Sequence, residues 1–142
     1  MKKPKGIRQV FAGIIVVAMI IFLNGCGSKN LGVYDTTVPP EQQCTLVISK
    51  YLHVTSFNGE DVSWGGSRLT SGDPLFEHET TIAIPAGQHK LLVNYKERMG
   101  NHWRGAHDIP LTTPYLVAGK IYHLDYGFYD NRLSVSISSG DK

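Results

Sequence analysis

Period-two alternation is what most constrains this 142-residue chain. Between His89 and Lys96, His89, Leu91, Val93 and Tyr95 fall on one face and Lys90, Leu92, Asn94 and Lys96 on the other. From Ile121 to Phe128, Tyr122, Leu124, Tyr126 and Phe128 share a side; then Leu133, Val135 and Ile137 alternate with Ser134, Ser136 and Ser138. Successive side chains of a strand point to opposite faces, so such runs are half-buried strands. No helical period of useful length follows residue 26. The chain has to fold by stacking sheets.

The remaining segments read the same way. Cys44 to Ser56 is rich in Val, Ile, Leu, Thr and Tyr, and Lys50 interrupts its apolar face, which predicts two strands or one bent strand. Asn58-Gly59 is a hairpin signal, because both central residues of a type I′ turn need positive φ. Thr80 to Ile84 is a strand stopped by Pro85-Ala86-Gly87, Ala118-Gly119-Lys120 is a turn, and Asp130-Asn131 is another. Ser63 to Pro74, with Gly65, Gly66 and Gly72, reads as a loop, as does Met99 to Thr113. About six to eight short strands separated by turns predict an all-β fold. A small antiparallel β-sandwich, Ig-like or transthyretin-like, is the first expectation, and a small barrel the second.

The N-terminus has a different character. Lys2, Lys3, Lys5 and Arg8 precede an apolar run of 14 residues, Val10 to Leu23. As a helix the run is about 21 Å long, short for a bilayer core of about 30 Å and suited to the apolar region of a secretory signal. Leu23-Asn24-Gly25-Cys26 follows and resembles a lipobox. That resemblance implies recognition through Leu23 and Gly25, cleavage before Cys26, a diacylglyceryl group on the Cys26 thiol and a fatty acyl chain such as palmitate on the new N-terminus. Asn24 departs from the usual small residue at its position. An uncleaved anchor helix and ordinary secretion are the competing readings. Gly27, where an Asp would signal retention at the inner membrane, points to the outer membrane of a Gram-negative cell. The expected organisation is a signal peptide over 1–25, a tether over 26–40 ending in Pro39-Pro40, and a β domain over 41–142.

Processing changes the charge. The chain has 14 Lys and Arg against 12 Asp and Glu, and the four basic residues just named lie in the leader, so 26–142 carries 10 against 12, a formal −2. Its cations are scattered, which argues against nucleic acid as a partner. Cys44 is then the only other thiol. It reads as a small buried hydrophobe on a strand, with a reactive or intermolecular thiol as the alternative.

Several phrases occur in a telling order. Pro40-Glu41-Gln42-Gln43-Cys44-Thr45-Leu46 opens the domain, Phe57-Asn58-Gly59 follows, then Ile84-Pro85-Ala86-Gly87-Gln88-His89-Lys90-Leu91, then Ala118-Gly119-Lys120-Ile121-Tyr122-His123-Leu124. Together they resemble an uncharacterised bacterial lipoprotein family with a small β-sandwich domain, whose P-x-G-x-H and A-G-K-x-Y turns each start a strand. The similarity covers most of residues 40–126. The family supplies no established catalytic residues, and its usual alanine is replaced here by Cys44.

Chemistry-bearing patterns are sparse. The six histidines, His53, His78, His89, His102, His107 and His123, show no metal-binding spacing. His102 and His107, beside Asp108, form the best local group. There is no G-x-S-x-G and no paired-carboxylate arrangement in a cleft-like context. Trp64 before Gly65-Gly66, and His102-Trp103-Arg104, are the candidate binding loops, because Trp and Arg dominate interface energetics. The expectation is a non-catalytic protein without cofactor, lipid-anchored in the bacterial cell envelope, binding the membrane through its anchor and an envelope protein or glycan through its loops. A metal-binding protein or enzyme using His102 and His107 is the alternative.

Overall fold

The computed structural model of the chain describes residues 28–65 and 79–140. Those residues form nine strands: β1 (Ser28–Val33), β2 (Gln43–Ile48), β3 (Leu52–Phe57), β4 (Glu60–Gly65), β5 (Glu79–Pro85), β6 (Lys90–Met99), β7 (His102–Thr112), β8 (Ile121–Tyr129) and β9 (Arg132–Ser139). One 3-10 turn, Pro40–Gln42, precedes β2. A five-stranded sheet in the order β1-β5-β2-β8-β9 packs on a four-stranded sheet in the order β4-β3-β6-β7. The fold is thus a small β-sandwich. Its second sheet is antiparallel throughout, whereas β1–β5 and β2–β8 pair in parallel.

Alternation builds the core as the sequence predicts. Cys44, Leu46 and Ile48 on β2, Ile82 and Ile84 on β5, and Tyr122 and Leu124 on β8 point inward from one sheet. Leu52, Val54 and Phe57 on β3, Trp64 on β4, and Leu91, Val93 and Tyr95 on β6 meet them from the other. Each such side chain contributes about 1.5–3 kcal/mol by leaving water. Cys44 is buried, and burial pushes its thiol above the usual cysteine value.

Two strands, and the last three residues of β4 (Ser63, Trp64 and Gly65), form where the sequence reads as something else. Ser28–Val33 lies in the stretch read as a tether, yet it pairs in parallel with β5 as an edge strand, and Leu31 and Tyr34 pack on the core. Met99 to Thr113 reads as a loop, yet β7 occupies most of it and pairs with β6 from Lys90↔Thr112 to Met99↔His102. Gly105, Asp108 and Pro110 hide it from propensity rules. Pro110 is tolerated because β7 is an edge strand. Asp108 sits in a bulge, at φ 53°, and its backbone N–H donates to Asn94 Oδ1 at 2.8 Å. Hairpin pairing, rather than the intrinsic preference of its residues, makes β7 a strand.

Gly65 ends β4 at φ +95°, and a Cβ there would stand 2.4 Å from the Leu52 carbonyl oxygen. The glycine is required by close backbone approach, so its place in a glycine-rich phrase is structural.

Candidate functional site

Register divides the sandwich into two ends. At one end lie the β3–β4 turn, the Pro85–His89 turn and the segment before β8; the β6–β7 and β8–β9 turns lie at the other.

The first end is stitched by polar bonds. Asn58 (φ 51°) and Gly59 (φ 85°) make the predicted type I′ turn. The Asn58 amide donates to His89 Nδ1 at 3.0 Å, and His89 Nε2–H donates to the Pro85 carbonyl at 2.7 Å. Lys90 N–H donates to Asn58 Oδ1 at 2.9 Å. His89 N–H donates to Thr113 Oγ1 at 2.9 Å, and Thr113 N–H returns to the His89 carbonyl at 2.8 Å. Gly87 and Leu116 exchange both backbone bonds, and Gly119 N–H reaches the Gln43 carbonyl at 2.8 Å. The P-x-G-x-H and A-G-K-x-Y phrases therefore converge here as fold-determining turns. His89 is buried with both ring nitrogens partnered, which suits a structural role.

The second end is built from two projecting ribbons. β3 stops at Leu52↔Tyr95, while β6 and β7 continue through Lys96↔Gly105, Glu97↔Arg104, Arg98↔Trp103 and Met99↔His102. β2 stops at Ile48↔Leu124, while β8 and β9 continue to Tyr129↔Arg132. Asp130 (φ 47°) and Asn131 (φ 60°) close the second ribbon, and Gly100 (φ 60°) the first. A two-stranded ribbon is marginal alone in water. These two lean on each other: the Arg104 guanidinium carbon lies 3.6 Å from the Phe128 ring centroid. Below it, Tyr95 packs against Tyr126 at 4.8 Å and Phe128 at 5.7 Å between centroids. Lys96 Nζ stands 4.8 Å over the Trp103 ring. Such cation–π contacts are worth about 0.5–1 kcal/mol at exposed positions.

The Tyr95 hydroxyl donates to Glu97. Burial, then that bond, pushes the Tyr95 pKa far above the usual tyrosine value; burial also raises that of Tyr126. These hydroxyls stay neutral through the physiological range and act as packing and hydrogen-bonding groups. Exposed around the tips are Met99, Trp103 (50%), Phe128 (39%) and Tyr129 (79%). The ribbons carry four cations, Lys96, Arg98, Arg104 and Arg132, against three acids, Glu97, Asp125 and Asp130.

The sequence-predicted site residues separate. His102, Trp103 and Arg104 lie together on β7, on a strand rather than a loop. Trp64 does not join them. It is 6% exposed, on β4 at the far edge of the same sheet, packed against Phe57 at 5.0 Å and Tyr34 at 5.1 Å between ring centroids. Its apolar ring is inward on the alternation that also buries Val54, its cross-strand neighbour. His102 and His107 are five residues apart along β7, about 16 Å at strand rise, too far for one metal ion. Among the described residues no three His, Cys, Asp or Glu side chains come together to hold one. Cys26, Leu23 and Gly25 lie outside the described residues, as does His78. A shallow groove of about 250 Å³ crosses the outer face between Ser56, Lys90, Leu92, Pro110 and Thr112, without converging charged groups around a reacting position.

Sequence reading missed Met99, Phe128, Tyr129 and Arg132. The signal was present: Phe128-Tyr129 and Trp103 each stand within a few residues of a tight turn, where an aromatic ring has no sheet above it to bury it. No family model, no curated protein and no solved structure matches the chain.

Proposed function

We propose that this protein is a lipid-anchored component of the bacterial cell envelope, which holds a rigid, non-catalytic β-sandwich at a membrane surface, on the outer membrane in a Gram-negative cell. The observation that carries this is the order of residues at the N-terminus: a basic lead, 14 apolar residues and Leu23-Asn24-Gly25-Cys26. Two or three acyl chains hold firmly where one does not, at about 0.8 kcal/mol per buried CH₂. Anchoring confines the domain, which raises its effective concentration toward an envelope protein or glycan on the same surface. In support, the polar side chains of the most buried turns are consumed by structural bonds, and the exposed chemistry is aromatic and cationic, which suits contact rather than turnover.

Replacing Cys26 with Ser in the full chain tests the anchor. The wild-type protein is expected in the membrane fraction with the added mass of its acyl chains. The variant is expected to lose that mass and to leave the fraction on mild salt washing. Unchanged mass and unchanged membrane association would refute the reading.

A further inference from the structure

We propose that the ribbon end formed by β6–β7 and β8–β9 is a second membrane contact, which lays Trp103, Phe128 and Tyr129 in the headgroup layer of an anionic phospholipid bilayer. This rests on the lipid-anchored reading of Cys26 and deepens it.

The register places chain entry and ribbon tips at the same end. Ser28 pairs with Glu79; the next residue of β5, Thr80, pairs with Ile48, and Ile48 pairs with Leu124. Ser28 is therefore level with Asp125, one step beyond Leu124. Tyr129 lies four residues further along β8, about 13 Å at strand rise. Cys26 precedes Ser28 by two residues, so the two lie at most about 7 Å apart. The tips thus project at least about 6 Å beyond the farthest point the Cys26 Cα can reach. A polar headgroup layer is about 5–7 Å deep on each side of the hydrocarbon core. With acyl chains of Cys26 in the hydrocarbon core, the tips therefore stand at the headgroup layer unless the domain tilts away.

The chemistry at the tips fits entry. Trp and Tyr concentrate at membrane interfaces because their rings are apolar and one edge is polar. Met99, Trp103, Phe128 and Tyr129 supply apolar area, and none is covered by another part of the described fold to the extent of the core rings. Lys96, Arg98, Arg104 and Arg132 form a cationic collar suited to anionic headgroups. Of the acids at this end, Glu97 is bonded to Tyr95 and Asp125 accepts the Ser49 hydroxyl. Asp125 and Glu79 sit at the level of Ser28, back from the tips; Asp130 alone is at a tip. Lys50, exposed on the β2–β3 turn, adds a cation at that same lower level.

The two tryptophans make the test direct, since only Trp103 is exposed. The full lipidated protein is reconstituted into phosphatidylcholine vesicles with and without phosphatidylglycerol, some carrying bromine on the acyl chains. Flotation reads the anchor, and bromine quenching of tryptophan emission reads the tips. Wild type is expected to be quenched, more strongly with phosphatidylglycerol. Trp103→Phe, which leaves only buried Trp64, is expected to lose at least half of that quenching. The exposed double variant Arg98→Glu/Arg132→Glu is expected to float, remain folded and lose the phosphatidylglycerol enhancement. Protein that floats but is quenched no more than Trp103→Phe overturns the contact while the anchor stands. The same holds if Trp103 stays open to aqueous acrylamide, which would assign this end to a soluble partner. Protein that fails to float removes the anchor reading and this inference with it.

Discussion

The two ends of the sandwich solve the same problem, closing hairpins, by opposite means. At the His89 end, turns are short and every crossing is fixed by directed bonds: Asn58 to His89, His89 to Pro85, Thr113 to His89. At the ribbon end, hairpins run beyond their sheets and are held by ring stacking and by Arg104 over Phe128. Directed bonds in a buried setting fix one geometry and are costly to lose. Ring and cation contacts at a surface are weaker and leave apolar area open. The difference teaches where rigidity is needed and where contact area is kept available.

His89→Ala is the largest expected break in this contrast. It removes a buried ring that satisfies Asn58 and the Pro85 carbonyl and packs on Phe57 at 4.7 Å. A loss of about 2–4 kcal/mol follows from the cavity and the unpaired groups together, read as a drop in the urea midpoint. A cost near that of an exposed histidine would mean that this end is not stitched as described. Arg104→Ala is the intermediate case. It is expected to cost only about 1 kcal/mol globally. Amide hydrogen exchange in Lys96–Met99 and Gly127–Arg132 should rise while the His89 turns stay protected. Equal loosening of both ends would erase the distinction.

Tyr95→Phe gives the smallest and most pH-specific effect. The folded state holds the Tyr95 proton well above the ordinary tyrosine value, so this contribution is complete below about pH 10, the unfolded value. Above it the unfolded chain releases the proton first, and stability falls as pH rises toward the folded value. The Phe variant should show a shallower fall in urea midpoint between about pH 9 and pH 11. Some slope should remain, because Tyr126 is raised in the same direction. An unchanged slope would remove Tyr95 from the alkaline response.

Alternation carried most of the fold. β2, β3, β5, β6, β8 and β9 lie where period-two patterns and turn residues predict them, since their inward faces are apolar in their own right. β1 and β7 were not legible. Both are edge strands, formed by pairing to a stronger neighbour, and their residues alone carry no such signal. The candidate site was half legible for the same reason. His102-Trp103-Arg104 announced itself by composition, whereas its partner Phe128 belongs to another hairpin and only register brings it over Arg104. Trp64 was misplaced because a neighbouring glycine suggested a loop; Gly65 is there for backbone room beside Leu52.

The described strands reverse direction one after another, so the parity of their number fixes which pole the chain enters by. Ser28–Val33 makes that number odd. Were this segment to peel away, the domain would begin at Gln43, beside Gly140 and the end of β9. On the lipid-anchored reading proposed above, the domain would then hang upside down, on a leash long enough to turn freely. On the lipid-anchored reading, this edge strand thus acts as a compass needle, and Gly140 stands at the pole facing away.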